Sequence, residues 1–220
     1  MSEIHRIKCG NSNCYIVENG VAGILVDTGK RKFVNRVMEA CRQYHVKLIV
    51  LTHAHFDHAE NAAQISNALG IPIGMSEKDC NLIQSNANQI LSAESFLGKI
   101  VLSVSLKDFS AHTLQEFQPD IFLKDGDSLS DYGVNASIIA LPGHTDGSIG
   151  IDVENKGLIV GDALMNMFYP TVSMLYHDKS EMLDSAGKIS RLGNRTIYFG
   201  HGKPVPNKQW VNPQTVHSMD

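Results

Sequence analysis

Several signals are missing from this 220-residue sequence, and each absence excludes a class of protein. The opening residues, Met1-Ser2-Glu3-Ile4-His5-Arg6, lack the apolar core of a signal peptide. No apolar run approaches the ~18 residues of a membrane span, so no membrane association is expected. Long basic runs are also missing. Nineteen Lys and Arg against 23 Asp and Glu give a formal charge of −4, and no nucleic-acid partner is expected. Cysteine is scarce. Cys9, Cys14, Cys41 and Cys80 show no CxxC spacing, which favours reduced thiols in a cytoplasmic protein over a Cys9–Cys14 disulfide. Sequons at Asn135 and Asn194 have no secretion signal beside them and read as chance matches. What remains is a chain with 43% apolar residues, enough to bury a full core as one domain over residues 1–220.

The chain is organised around Thr52-His53-Ala54-His55-Phe56-Asp57-His58, which packs three imidazoles and a carboxylate into six consecutive positions. The apolar, β-branched run 46–51 before it reads as a buried strand. The alanine-rich run 59–69 after it reads as a helix ending at Gly70. The cluster therefore stands at the carboxyl end of a strand, where open α/β sheets put their ligands. Imidazole and carboxylate are metal ligands, and zinc takes about four of them. His53 and His55, two apart, point the same way on an extended segment. Asp57 and His58 follow where the chain turns and can face a second point nearby. One loop can thus feed two adjacent metals.

Three more strand ends carry the same chemistry. His144 follows the run 137–141, Asp162 follows 158–161, and His201 follows 196–200. Glycines beside each donor allow tight turns. Packing alone does not explain four strand ends that together offer five His and two Asp.

This set resembles the metallo-β-lactamase superfamily, whose mark is HxHxDH followed by single His, Asp and His motifs. The resemblance runs from about Asn13 to Gly202 and includes an early Asp, Asp27 in Val26-Asp27-Thr28-Gly29. It implies a fold of the α/β (α+β) class, a four-layer αβ/βα sandwich with two sheets face to face and helices outside. It implies two divalent metal ions, most often zinc, with iron or manganese as alternatives because His and Asp suit all three. One metal would bind His53, His55 and His144, the other Asp57, His58 and His201, with Asp162 bridging. Asp27 would hold a ligating histidine by a hydrogen bond. Read without the resemblance, Asp27 is a helix cap for the segment starting near Arg31.

Along the chain, residues 4–8, 14–18 and 23–27 read as strands and 31–44 as a helix. Ser76 reads as an N-cap, with Glu77 and Asp79 in the following first turn. Residues 81–118 are rich in Asn and Gln, hold no metal-ligand constellation and read as helices with loops. They lengthen the gap from His58 to His144 to 86 positions, which makes them a candidate helical lid, insertion or homodimer contact. Residues 121–129 read as a hairpin, and 148–153 with 157–160 as another across Glu154-Asn155-Lys156-Gly157. Residues 178–192 read as a helix stopped by Gly193. Beyond Pro204 the chain is polar and irregular, with Trp210 an anchor and the last residues expected to fray.

Function follows from the site and the resemblance together. The expectation is a metal-dependent hydrolase with a dinuclear centre and a bridging hydroxide, in which Asp57 and Asp162 act catalytically on a small ester-type substrate such as a thioester or lactone. Glyoxalase II-type thioesterases carry a further helical domain, whereas only 19 residues follow His201 here. Lactonases carry a tyrosine a few residues past the bridging Asp; here the third residue on is Met165 and the nearest tyrosine is Tyr169. Met165, Tyr169 and His177 are expected to line the substrate pocket, with the Tyr169 hydroxyl an oxyanion donor. The alternatives are an iron-dependent persulfide dioxygenase and a non-catalytic metal-binding protein.

Overall fold

The computed structural model describes residues 1–211, apart from the side chain of Ser110. The β-rich runs build two principal sheets. The first holds β1 (Glu3–Cys9), β2 (Ser12–Glu18), β3 (Gly23–Val26), β4 (Val46–Val50), β5 (Ile73–Met75) and β6 (Ile121–Phe122), in that order. Its first three strands are antiparallel, and β3 to β6 run parallel. The second takes β7 (Ala136–Ala140), β8 (Ile149–Val153) and β9 (Gly157–Ile159). A small hairpin of β10 (Leu164–Met165) and β11 (Thr171–Val172) stands apart. The second sheet is completed by β12 (Thr196–Tyr198) and β13 (Val205–Pro206), with spatial order β13-β12-β9-β8-β7.

Alternation along the strands sorts the apolar side chains into three cores. Ile24 and Val26 lie between the sheets with Ile138, Ile151 and Ile159. Leu25, on the opposite face of the same strand, joins Val37 and Cys41 of α1 (Val34–Gln43). Ile65, in the helix Ala62–Leu69, lies in that core too. On the far side, Leu158 and Ile197 pack with Ala186 and Ile189 from the long helix near the end of the described chain, Lys179–Arg191. The layers are therefore helix, sheet, sheet, helix, the expected sandwich. Each fully buried Ile, Leu or Val contributes about 1.5–3 kcal/mol over exposure. β3 is buried on both faces, so a one-residue slip would exchange the side chains of the two cores and spoil the packing of each.

Two local expectations change. The helix read over 59–69 is split into α2 (Phe56–Ala59) and α3 (Ala62–Leu69), with Gly70 closing the latter in the left-handed region. The hairpin read over 121–129 does not form. Its first part is β6, parallel to β5, and Ser128 bridges to Ser137 of the second sheet. Leu123 and Leu129 are both buried between the sheets, so the segment crosses from one sheet to the other instead of folding back. Residues 80–111 give α4 (Cys80–Gln84), a 3-10 turn at Asn86–Asn88 and the 16-residue α5 (Phe96–Ala111). The long helix Lys179–Arg191 is α6.

Among the described residues of α5 only Gly98 is buried. Near the end, Trp210 meets Phe199 edge-on and donates from its indole to Asn207 Oδ1 at 2.7 Å. The fraying expected of the last residues falls outside the described residues. No described helix is long and apolar enough to cross a membrane.

Candidate metal centre

Four strand ends converge at one edge of the sandwich. β4 delivers His53, His55, Asp57 and His58; β7 leads to His144, β9 to Asp162 and β12 to His201. Backbone hydrogen bonds tie the ends together: Ile149 N donates to Thr52 O at 2.9 Å and Gly200 N to Gly161 O at 2.7 Å. Two glycines are sterically required. A Cβ on Gly200 would lie 2.1 Å from Asp162 Oδ1 and 2.7 Å from His58 Cε1. Gly143, at φ +120°, would drive a Cβ to within 2.1 Å of the Met182 backbone.

The side chains form three overlapping groups, each with ligand atoms within 4.8 Å of one another: His53, His55 and His144; His53, His58 and Asp162; Asp57, His58 and His201. His55 Nδ1 and His144 Nε2 approach to 3.0 Å. Asp162 lies between the groups, with carboxylate oxygens 3.6 Å from His58 Nε2, 3.7 Å from His144 Nε2 and 3.3 Å from His201 Nε2. Asp57 Oδ2 is 3.4 Å from His201 Nε2.

Each ring except His55 is fixed from behind. His53 Nδ1 meets Thr52 Oγ1 at 3.1 Å, His58 Nδ1 meets Asp27 Oδ2 at 2.9 Å, and the Nδ1 atoms of His144 and His201 reach the carbonyls of Leu175 and Asn11. Such partners set the ring orientation and leave Nε2 facing inward. Asp27 sits at φ 58° and also accepts from Thr52 N at 2.8 Å, so it links the end of β3 to the histidine loop. The ring of His55 is covered by Phe109 of α5, 4.8 Å away.

The test of fit is polar satisfaction. Nε2 of His53, His55 and His58 and Oδ1 of Asp162 are buried without a hydrogen-bond partner. Buried polar atoms are nearly always paired, so several together in one cluster call for a ligand, and the donor set suits a divalent cation. Electrostatics agree. Burial and the neighbouring imidazoles hold His53 and His55 well below the ordinary histidine pKa, and burial lowers His144. Burial opposes the charge on Asp162, but His201 and His58 outweigh it and hold the carboxyl well below the usual range. Burial likewise opposes a proton on His58, yet Asp57, Asp162 and Asp27 push it up to about 10.

Beside the cluster lies a cavity of about 220 Å³ lined by His55, Asp57, His144, Asp162 and His201 together with residues of α5 and the β10–β11 turn. Met165 lies on its lining. Tyr169 and His177 do not. The β10–β11 hairpin reverses the chain straight after Met165, so Met167 and Phe168 border the cavity while Tyr169 is exposed. His177 turns away, with Nδ1 on Ile90 O at 3.0 Å and Nε2 3.6 Å from Asp146.

Several supporting residues escaped the sequence. Asn61 Nδ2 donates to the carbonyls of Thr28, Gly29 and Lys30, and Glu60 accepts from Arg31 N; these bonds hold the break between α2 and α3. Asn86 clamps the histidine loop by accepting from Phe56 N and donating to Ala54 O. Asp79, read as a first-turn acid, is fully buried. It accepts from Thr145 Oγ1 at 2.7 Å, Gly147 N at 2.8 Å and Gln89 Nε2 at 3.2 Å, and so fixes the loop that carries His144. The abundance of Asn and Gln in 81–89 was the available signal, and nothing in the sequence paired Asp79 with Thr145.

The model of the metallo-beta-lactamase superfamily matches residues 7–201. A curated relative, hydroxyacylglutathione hydrolase GloC of Haemophilus influenzae, is 30% identical over 168 residues, covering 74% of this chain and 71% of that protein. Among solved structures, BLEG-1 B3 metallo-beta-lactamase superposes with a TM-score of 0.75 at 22% identity, over 98% of this chain and all of that one. TTHA1623 in a di-iron-bound form gives 0.69 at 21%, over 96% and 99%. With HxHxDH, His144, Asp162 and His201 gathered at one edge of a four-layer sandwich and the family model spanning nearly the whole described chain, this protein belongs to the metallo-beta-lactamase superfamily.

Proposed function

We propose that the chain is a metal-dependent hydrolase with a dinuclear centre, acting on a small ester-type substrate such as a thioester or lactone. The observation that carries this reading is the group of buried, unpartnered Nε2 and carboxylate atoms facing one another beside an open cavity. His53, His55 and His144 would hold one ion, Asp57, His58 and His201 the other, and Asp162 would bridge. Two bound divalent ions would supply a nucleophile from water at neutral pH and polarise the attacked carbonyl.

The chain's own groups do the rest. Asp57, the least buried carboxylate of the cluster, faces the cavity and is placed to orient the attacking water and hold its proton. Asp27, Thr52 and the Leu175 and Asn11 carbonyls keep the imidazoles aimed inward through the reaction. Zinc suits the donor set; the di-iron form of TTHA1623 keeps iron in view.

The test is a metal analysis followed by a paired assay. Protein purified without chelator should hold close to two metals per chain, and His53→Ala should lose at least one. The zinc or manganese form should turn over thioesters, lactones or simple esters. No metal bound even after reconstitution would reject the site. Oxygen uptake by the iron form alone, with sulfite made from a persulfide, would replace hydrolysis by dioxygenation.

A further inference from the structure

One wall of the cavity takes no part in the chemistry just described. On α5, Phe96, Ile100 and Val104 recur every four residues, which puts them on one face of the helix. They are 78%, 48% and 58% exposed, and Ile100 and Val104 line the cavity. Phe168, 57% exposed, joins them from the β10–β11 turn, and the buried Leu91 and Leu175 extend the apolar lining inward. Solvent-exposed apolar residues grouped beside a reactive centre mark a ligand surface more often than scattered ones do.

Charge narrows the ligand. Apart from the histidines, Lys30 is the one basic residue on the lining. Its ammonium already stands 3.6 Å from Asp108 Oδ2 and 4.9 Å above the Phe56 ring, so its charge is matched within the wall. Among the described residues no further Lys or Arg lines it to meet a phosphate or a second carboxylate. The wall and the metal-ligating cluster share one cavity, so whatever lies along α5 is continuous with whatever reacts.

From this juxtaposition we infer that α5 and the β10–β11 turn form a subsite for an unbranched aliphatic acyl chain, which runs from the reacting carbonyl along Val104 towards Phe168. The proposal rests on the hydrolase reading and deepens it: the substrate class is a neutral medium-chain acyl ester or thioester. Water adds to the acyl carbon, the carbonyl carbon–sulfur or carbon–oxygen bond breaks, and a fatty acid and a thiol or alcohol leave.

Binding can be measured without turnover. Zinc-loaded protein is titrated calorimetrically with straight-chain alkanoates from butanoate to decanoate. A methylene entering apolar surroundings is worth about 0.8 kcal/mol, about fourfold in affinity, so octanoate should bind at least about tenfold tighter than butanoate. Val104→Asp and Ile100→Asp, both at exposed positions that tolerate a polar side chain, should each flatten this gradient to about twofold or less. Equal affinity along the series in the wild type, or an unchanged gradient in both variants, would overturn the subsite. The hydrolase reading fails separately. A steep gradient in a protein that cleaves no ester keeps the subsite and removes the hydrolase, whereas brisk cleavage of acetyl esters with a flat gradient does the reverse.

Discussion

The floor and the roof of the cavity follow opposite rules. The floor is made of strand ends whose imidazoles are buried, all but His55 aimed from behind by hydrogen bonds, and crossed by the Asp79 and Asn86 clamps. The roof is α5, which buries only a glycine among its described residues and is held by Phe109 on His55, Phe56 on His112 and the Lys30–Asp108 pair. Chemistry needs fixed ligands, and a shared reaction needs the same ligands everywhere. Discrimination between substrates needs only a wall of the right shape and polarity, and that wall can vary without disturbing the floor.

If the comparison holds, floor variants should cost orders of magnitude and roof variants little. The largest effect is expected from Asp162→Ala, because Asp162 reaches His58, His144 and His201 at once. Metal content should fall below two per chain, and kcat/KM on the best ester should drop about a thousandfold or more, several kcal/mol of transition-state stabilisation. Retained metal with near-normal kcat/KM would break the claim that this carboxylate joins the two halves of the site.

Next comes Asp79→Ala, which touches no ligand directly. It would leave Gly147 N buried without its acceptor and Thr145 Oγ1 with Ser148 Oγ as its remaining partner, at a cost of about 1–3 kcal/mol in chemical denaturation. The loosened His144 loop should also weaken metal binding by about ten- to a hundredfold. Asp79→Asn, which keeps one acceptor oxygen, should recover part of both; lost stability without any change in metal affinity would reduce Asp79 to a packing residue.

A smaller effect is expected from pH. The proton on His58, with its pKa pushed up to about 10, stabilises the metal-free fold fully below the ordinary histidine pKa, and that stability is lost as pH rises towards 10. Metal binding must displace the same proton, so affinity should grow with pH over this range. Both signs agree: the gap in Tm between metal-loaded and metal-stripped protein should widen from pH 7 to pH 9. A gap that narrows would show that the carboxylates do not hold His58 charged.

The smallest effect belongs to Tyr169→Phe. Tyr169 is exposed and lies off the cavity lining, so stability should stay within about 0.5 kcal/mol of wild type and kcat/KM within twofold. A marked loss of turnover would mean that the β10–β11 turn closes over the substrate and restores the oxyanion role expected from sequence.

The sequence by itself determined which His and Asp side chains could gather as a cluster, and the layered sandwich. Donor chemistry is local: a strand run followed by His or Asp and flanking glycine declares itself within a few residues, and HxHxDH does so within six. Unbroken apolar runs in β2, β3 and β4 likewise mark strands buried on both faces, because successive side chains point to opposite sides. The partners of those residues were decided only by the tertiary structure. Asp79 meets Thr145 across 66 positions and Asn61 meets Thr28 across 33, and no local pattern encodes such pairings. The same limit misplaced Tyr169 and His177. Their distance from Asp162 along the chain was known, but the hairpin that turns them away is set by packing at β10 and β11. Residues 121–129 looked like a hairpin for a related reason. Their turn signal was real, yet burial of Leu123 and Leu129 between the sheets carried the strand across instead of back. Local chemistry fixes what each segment can offer, and long-range burial and hydrogen bonding fix what it faces.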